Sequence, residues 1–148
     1  MSVLEDYEDK PKTAAKTSEA AVSMADILRA IADDKSLVLF NTIAIAGGDS
    51  DILITRLGVT RKQFYLRMSA LINAGLMSRK NRQYELTSLG RIVYDAHLMI
   101  GKALNKFWQL KALDSLETEH ELPIGERNRI ISTLIDNEDI MKVLVKQY

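Results

Sequence analysis

Apolar positions recur at helical spacing along most of the chain from about residue 24 onward. "MADILRAIADD" places Ile27, Leu28 and Ile31 three to four residues apart, which predicts a short helix. "KSLVLFNTIAIAGG" carries Leu37, Val38, Phe40, Ile43, Ala44 and Ile45. It is apolar round most of its circumference, the pattern of a central buried helix, and Gly47-Gly48 ends it. Asp49 or Ser50 can cap a further short helix over Asp51 to Leu57, with Leu53, Ile54 and Leu57 turned inward and Gly58 as its left-handed stop.

Thr60 is followed three residues later by Gln63, the capping-box spacing, so a new helix is predicted from Thr60 to about Ala74. Phe64, Met68, Leu71 and Ile72 form its apolar stripe. Lys62, Leu66, Ser69 and Asn73 lie opposite, with Gln63 and Tyr65 flanking and Arg67 near the buried side. Gly75 closes it. Two helices joined by a few residues around a glycine make a helix-turn-helix. "LMSRKNRQYEL" then alternates around Lys80-Asn81-Arg82, which predicts a two-stranded hairpin with a basic tip, since Asn tolerates the positive φ of a tight turn.

Thr87 or Ser88 caps a long helix, predicted to run unbroken from Leu89 to about Leu116 with Gly101 as its weak point. Leu89, Val93, Ala96, Ile100, Ala103, Phe107 and Leu110 follow a 4-3-4-3 spacing, the seam of a coiled coil. A helix of that span is about 40 Å long, too long to be covered by a small core. Its far half must pack on the C-terminal segment, on another subunit, or on both. "ETEHEL" and Pro123 end it. One or two short helices follow, with Ile130, Ile131, Leu134, Ile135, Ile140, Met141, Leu144 and Val145 to bury. The fold class is therefore mainly α with a small β-hairpin and a long C-terminal helix.

Charge changes this picture. The 148 residues carry no net charge, but residues 50–91 hold eight basic residues against Asp51 and Glu85, a net of +6. Residues 1–34 sum to −4 and residues 92–148 to −2. A basic centre between acidic flanks is the electrostatic footprint of a nucleic-acid surface. Residues 1–22, acidic and then "KPKTAAKTSEAA", are expected to form a disordered tail.

Other chemistry is thinly supplied. There is no Cys, and His97 and His120 are the only histidines, so no metal site is expected. No Gly-rich phosphate loop, paired carboxylates or nucleophile–base set stands in a supporting context, and neither an enzyme nor a cofactor is expected. No apolar run approaches the roughly 20 residues of a membrane span. The N-terminus lacks the order of a secretory signal, which points to a cytoplasmic protein.

The order of elements, with "LITRLGVTRKQFYLRMSALINAGLM" and "YELTSLGRIVYD", resembles the winged helix-turn-helix regulators, in particular the ArsR/MarR type and its small archaeal members. The Leu-Gly-Val-Thr turn, the Ala-Gly-Leu after the second helix and Tyr-x-Leu-Thr-x-x-Gly after the hairpin carry the resemblance, over about residues 24–100. It implies a DNA-binding domain over residues 23–100 and a packing or dimerisation region over residues 89–148. It also implies a transcriptional regulator of double-stranded DNA that acts as a homodimer at the nucleoid, with the effector left open. The metal-sensing branch uses Cys ligands, which this chain lacks.

On that reading Thr60–Ala74 is the recognition helix. Lys62, Gln63, Tyr65, Leu66 and Ser69 are its candidates for base contacts: Lys for guanine acceptors, Gln for adenine, Leu for a thymine methyl. Leu66 can equally contact a neighbouring helix, and Tyr65 can be partly buried. Thr60, Arg61, Arg79, Lys80 and Arg82 are candidates for phosphates, Arg82 also for the minor groove. Arg67 either reaches a phosphate or pairs internally. Ile100, Ala103, Phe107, Trp108 and Leu110 are the candidate dimer interface, unless the long helix folds against residues 124–146 of its own subunit. The alternative function is a winged helix used as a protein-docking module.

Overall fold

A computed structural model describes residues 21–119 and 121–145. The predicted tail, apart from its last two residues, and His120 lie outside them. Eight helices and one two-stranded antiparallel sheet are present among the described residues. The chain divides into two compact units, one up to Val93 and one from Tyr94.

In the first unit, α1 (Met24–Ala30) starts on a capping box in which the Ser23 hydroxyl accepts from the Asp26 amide and the Asp26 carboxylate accepts from the Ser23 amide. α2 (Asp34–Ala46) is capped by Asp33, whose carboxylate accepts from the Ser36 amide at 2.9 Å. Asp49, rather than Ser50, caps α3 (Ser50–Leu57) by accepting from the Ile52 amide, and Gly58 ends it in the left-handed conformation. α4 (Arg61–Asn73) begins on the Thr60–Gln63 box and stops where Gly75 takes φ +77°. One of the orphan amide donors at the start of each helix is thus met by a local side chain, which marks the four start points.

β1 (Met77–Lys80) pairs with β2 (Gln83–Leu86) in the register Met77 to Leu86 and Lys80 to Gln83. Pairing puts Met77, Arg79, Tyr84 and Leu86 on one face, and Met77, Tyr84 and Leu86 are buried there. Leu39, Phe40, Ile43, Leu53, Phe64, Met68, Leu71 and Leu76 complete the core. At about 1.5–3 kcal/mol for each large side chain removed from water, this cluster is the main stabilising term of the unit. α4 sits at its centre, packed on α1, α3 and β1.

Two expectations are corrected here. α2 is not buried all round: Val38 and Ile45 are exposed, because only Leu39, Phe40 and Ile43 face the sheet and α3. Ile72, read as part of the inner stripe of α4, is also exposed, since Leu71 and Met68 already fill that side.

The Tyr-x-Leu-Thr-x-x-Gly stretch gains a physical reason. Tyr84 donates its amide to the Gly48 carbonyl, and its hydroxyl lies 3.4 Å from the buried Ser50 hydroxyl. Leu86 is core. The Thr87 hydroxyl, the cap of α5 (Ser88–Asn105), accepts from the Gly90 amide and donates to the Gly75 carbonyl at 2.5 Å. A Cβ on Gly90 would fall 2.1 Å from the Leu76 carbonyl oxygen, so no other residue fits where α5 crosses that backbone.

The unit boundary falls within α5. In the second unit the remainder of α5 is followed by α6 (Phe107–Glu119), α7 (Ile124–Leu134) and α8 (Glu138–Leu144). The single long helix expected from Leu89 to about Leu116 is therefore corrected to two. At the break the Lys106 amide bonds to Ala103, three residues back, instead of continuing the regular pattern, and the Lys106 carbonyl opens α6 by accepting from Leu110. Gly101 is not the break point. Leu113, Ile131, Ile135 and Ile140 form this unit's core, flanked by Met99, Ala103, Leu110, Ile130, Leu134, Met141 and Leu144. Val145, expected inside, is exposed. Lys102–Asp139 and Lys106–Asp136 ion pairs, at 3.3 and 2.7 Å, and an Arg127–Glu117 pair tie its helices together. No described helix is long and apolar enough to cross a membrane. Among the described residues no group of three His, Cys, Asp or Glu is placed to hold a metal ion.

Candidate nucleic-acid interface

The outer side of α4 is the surface to test. Because Phe64, Met68 and Leu71 are drawn into the core, helical geometry turns Lys62, Tyr65, Leu66 and Ser69 outward, and all four are exposed. Leu66 is 67% accessible and rests on no neighbouring helix to any great extent. Tyr65 keeps its ring edge against Phe64, with centroids 5.2 Å apart, while much of the ring faces solvent.

Gln63 is placed differently. Its Oε1 accepts from the Thr60 amide while Thr60 Oγ1 accepts from the Gln63 amide, so the side-chain oxygen is committed to the cap and the residue is half-buried. A two-point contact with adenine needs that oxygen as well as the amide nitrogen. With the box closed, only Nε2 remains to donate.

The cations divide by partner. Arg61 Nη2 lies 2.7 Å from Asp51 Oδ1 on α3, and both side chains are largely exposed. That hydrogen bond, then the charge of Asp51, holds the Arg61 guanidinium above its ordinary value. Arg67 pairs internally: its Nη2 is 3.4 Å from Asp33 Oδ1 and its Nε is buried. The Asp33 carboxyl is held below the usual carboxylate value, chiefly by the Ser36 amide and further by Arg67. On the hairpin, Arg79 lies over the Tyr84 ring, directly opposite it in register, at 5.4 Å. Lys80 is 3.6 Å from Glu85, its diagonal neighbour on the other face. Asn81 and Arg82 form the turn with φ of 51° and 67°, and Arg82 is exposed at the tip. Lys62 and Arg82 make no ion pair among the described residues.

In the sequence Asp51 and Glu85 stand only as subtractions from a local charge; in the fold they are direct partners of Arg61 and Lys80. For Glu85 the strand register held the signal; for Asp51, ten residues from Arg61, only the packing of α3 on α4 supplies it.

The proposed seam in the second unit is divided. Ala103 and Leu110 pack against that unit's own core. Ile100, Phe107 and Trp108 stay exposed, joined by Leu104. Trp108 meets Phe107 edge to face at 5.2 Å, and Lys111 Nζ lies 5.6 Å from the Phe107 ring centre.

No family model matches the chain, and no curated protein does. Among solved structures it is similar to the multiple antibiotic-resistance repressor MarR from Listeria monocytogenes, with 19% identity over 98% of this chain and 95% of that one, at a TM-score of 0.46. The succession α2, α3, α4, β1, β2, α5, with a glycine turn between α3 and α4 and a hairpin hydrogen-bonded back to Gly48, is by its own geometry a winged helix-turn-helix fold.

Proposed function

We propose that this protein is a sequence-specific regulator of transcription that binds double-stranded DNA as a homodimer in the cytoplasm, at the nucleoid. α4 enters the major groove, presenting Lys62, Tyr65, Leu66 and Ser69 to base edges, with Gln63 contributing its amide nitrogen. The β1–β2 wing lies on the backbone or in the minor groove through Arg79, Lys80 and Arg82. Thr60 and the first amides of α4 face a phosphate, as helix N-termini favour. The observation that carries this reading is the solvent-facing polar stripe of a firmly capped α4 beside a hairpin tipped with Arg82. The exposed set Ile100, Leu104, Phe107 and Trp108 supports self-association.

The test is a fluorescence-anisotropy titration of the full chain with random-sequence duplex at low salt, followed by selection of bound sites from a random pool. Binding that weakens steeply as salt rises, and enrichment of a palindrome, are expected. Absence of binding at low salt would overturn the reading and favour a protein-docking role.

A further inference from the structure

The ion pair at the start of the recognition helix has a consequence for affinity. Arg61 is the first residue of α4, where a phosphate contact is expected, yet its guanidinium is engaged by Asp51 at 2.7 Å. Both side chains stand in solvent, 67% and 77% exposed, and such pairs contribute little to folding. The same exposure puts the Asp51 carboxylate on the surface that meets DNA. A phosphate approaching Arg61 must displace that carboxylate or tolerate a like charge beside it. Lys62, the next residue, has no carboxylate against it among the described residues and keeps its charge available.

We propose that Asp51 is a positioning residue that tunes affinity for duplex DNA. By occupying Arg61 it withholds one phosphate contact per protomer from any duplex. This rests on the DNA-binding reading above. Non-specific affinity comes almost wholly from phosphate contacts, whereas base contacts are gained only on the correct sequence. Removing a phosphate contact from both lowers both affinities by the same factor and leaves their ratio unchanged, so Asp51 sets how tightly any duplex is held and how steeply that hold depends on salt.

The experiment measures salt dependence on random duplex for the full-length wild type, Asp51→Asn, Arg61→Gln and the double variant, with thermal unfolding to establish that each is folded. Asp51→Ser serves in place of Asp51→Asn if the latter does not fold. Loss of the carboxylate is expected to steepen the log–log salt slope by about 0.9 per protomer, or about 3.5-fold in affinity per protomer between 50 and 200 mM salt. The double variant, which lacks both charges, should return to the wild-type slope. A merely structural role for Asp51 would move the melting temperature and not the slope. The proposal is overturned if loss of the carboxylate leaves the slope unchanged or if the steepening survives in the double variant. A wild type that binds no duplex at low salt overturns the DNA-binding reading and this proposal together. Binding by a wild type whose Asp51 variants behave identically overturns this proposal alone.

Discussion

Arg82 occupies the second position of a turn in which both central residues have positive φ, a place where glycine is the favoured occupant. An L-residue with a Cβ in that conformation costs about 1 kcal/mol. Arg82→Gly is therefore expected to raise unfolding free energy by about that amount while weakening binding to duplex DNA and making the salt slope shallower by about 1 per protomer. Chemical denaturation and an anisotropy titration on the same preparation test both signs. A less stable variant would show that the arginine side chain serves the fold instead. Gly90 is the opposite case: the Leu76 carbonyl oxygen leaves no room for a Cβ, and the requirement is purely one of packing.

At the scale of elements, the helix starts carry a pH dependence. The Asp33 carboxylate at the start of α2 accepts from the Ser36 amide and hydroxyl and faces Arg67 on α4, which lowers its pKa below the ordinary 3.8. A lowered carboxylate contributes stability that is complete above its unfolded value and disappears as pH falls through the folded one. Melting temperature should thus hold steady down to about pH 4 and decline below it. Asp33→Asn, which keeps a capping oxygen, should flatten that acid limb while costing less than about 1 kcal/mol near neutrality. Circular dichroism melts across the range check this, and an unaltered limb would assign the acid loss to other groups. Signals of this kind are local, which is why they were readable: the Thr60–Gln63 box, the stops at Gly58 and Gly75 and the Asn81–Arg82 turn each involve residues within a turn of one another. What the periodicity could not convey depends on what lies opposite. The outer positions Val38, Ile45 and Ile72 look the same in sequence as the buried Leu39, Ile43 and Leu71. The break at Lys106 has no proline or glycine to announce it, and the Asp51–Arg61 pair forms only once α3 packs on α4.

For the whole molecule, the proposed self-association would set how strongly it holds DNA. Ile100, Leu104 and Trp108 are 62%, 66% and 75% exposed, and none belongs to the core of its unit. Leu104→Glu is expected to give a monomer by light scattering at micromolar concentration, with the melting temperature little changed. Binding to a selected palindrome should fall by at least about 100-fold through loss of the second, linked contact. A wild type that is already monomeric at that concentration would remove the basis for the prediction. Trp108 is also the chain's sole tryptophan. Its indole stands in water in the single chain, so intrinsic emission from the unlabelled protein reports on that one surface. A blue shift on concentration marks the ring being covered, and its midpoint gives the association constant without a tag or a dye.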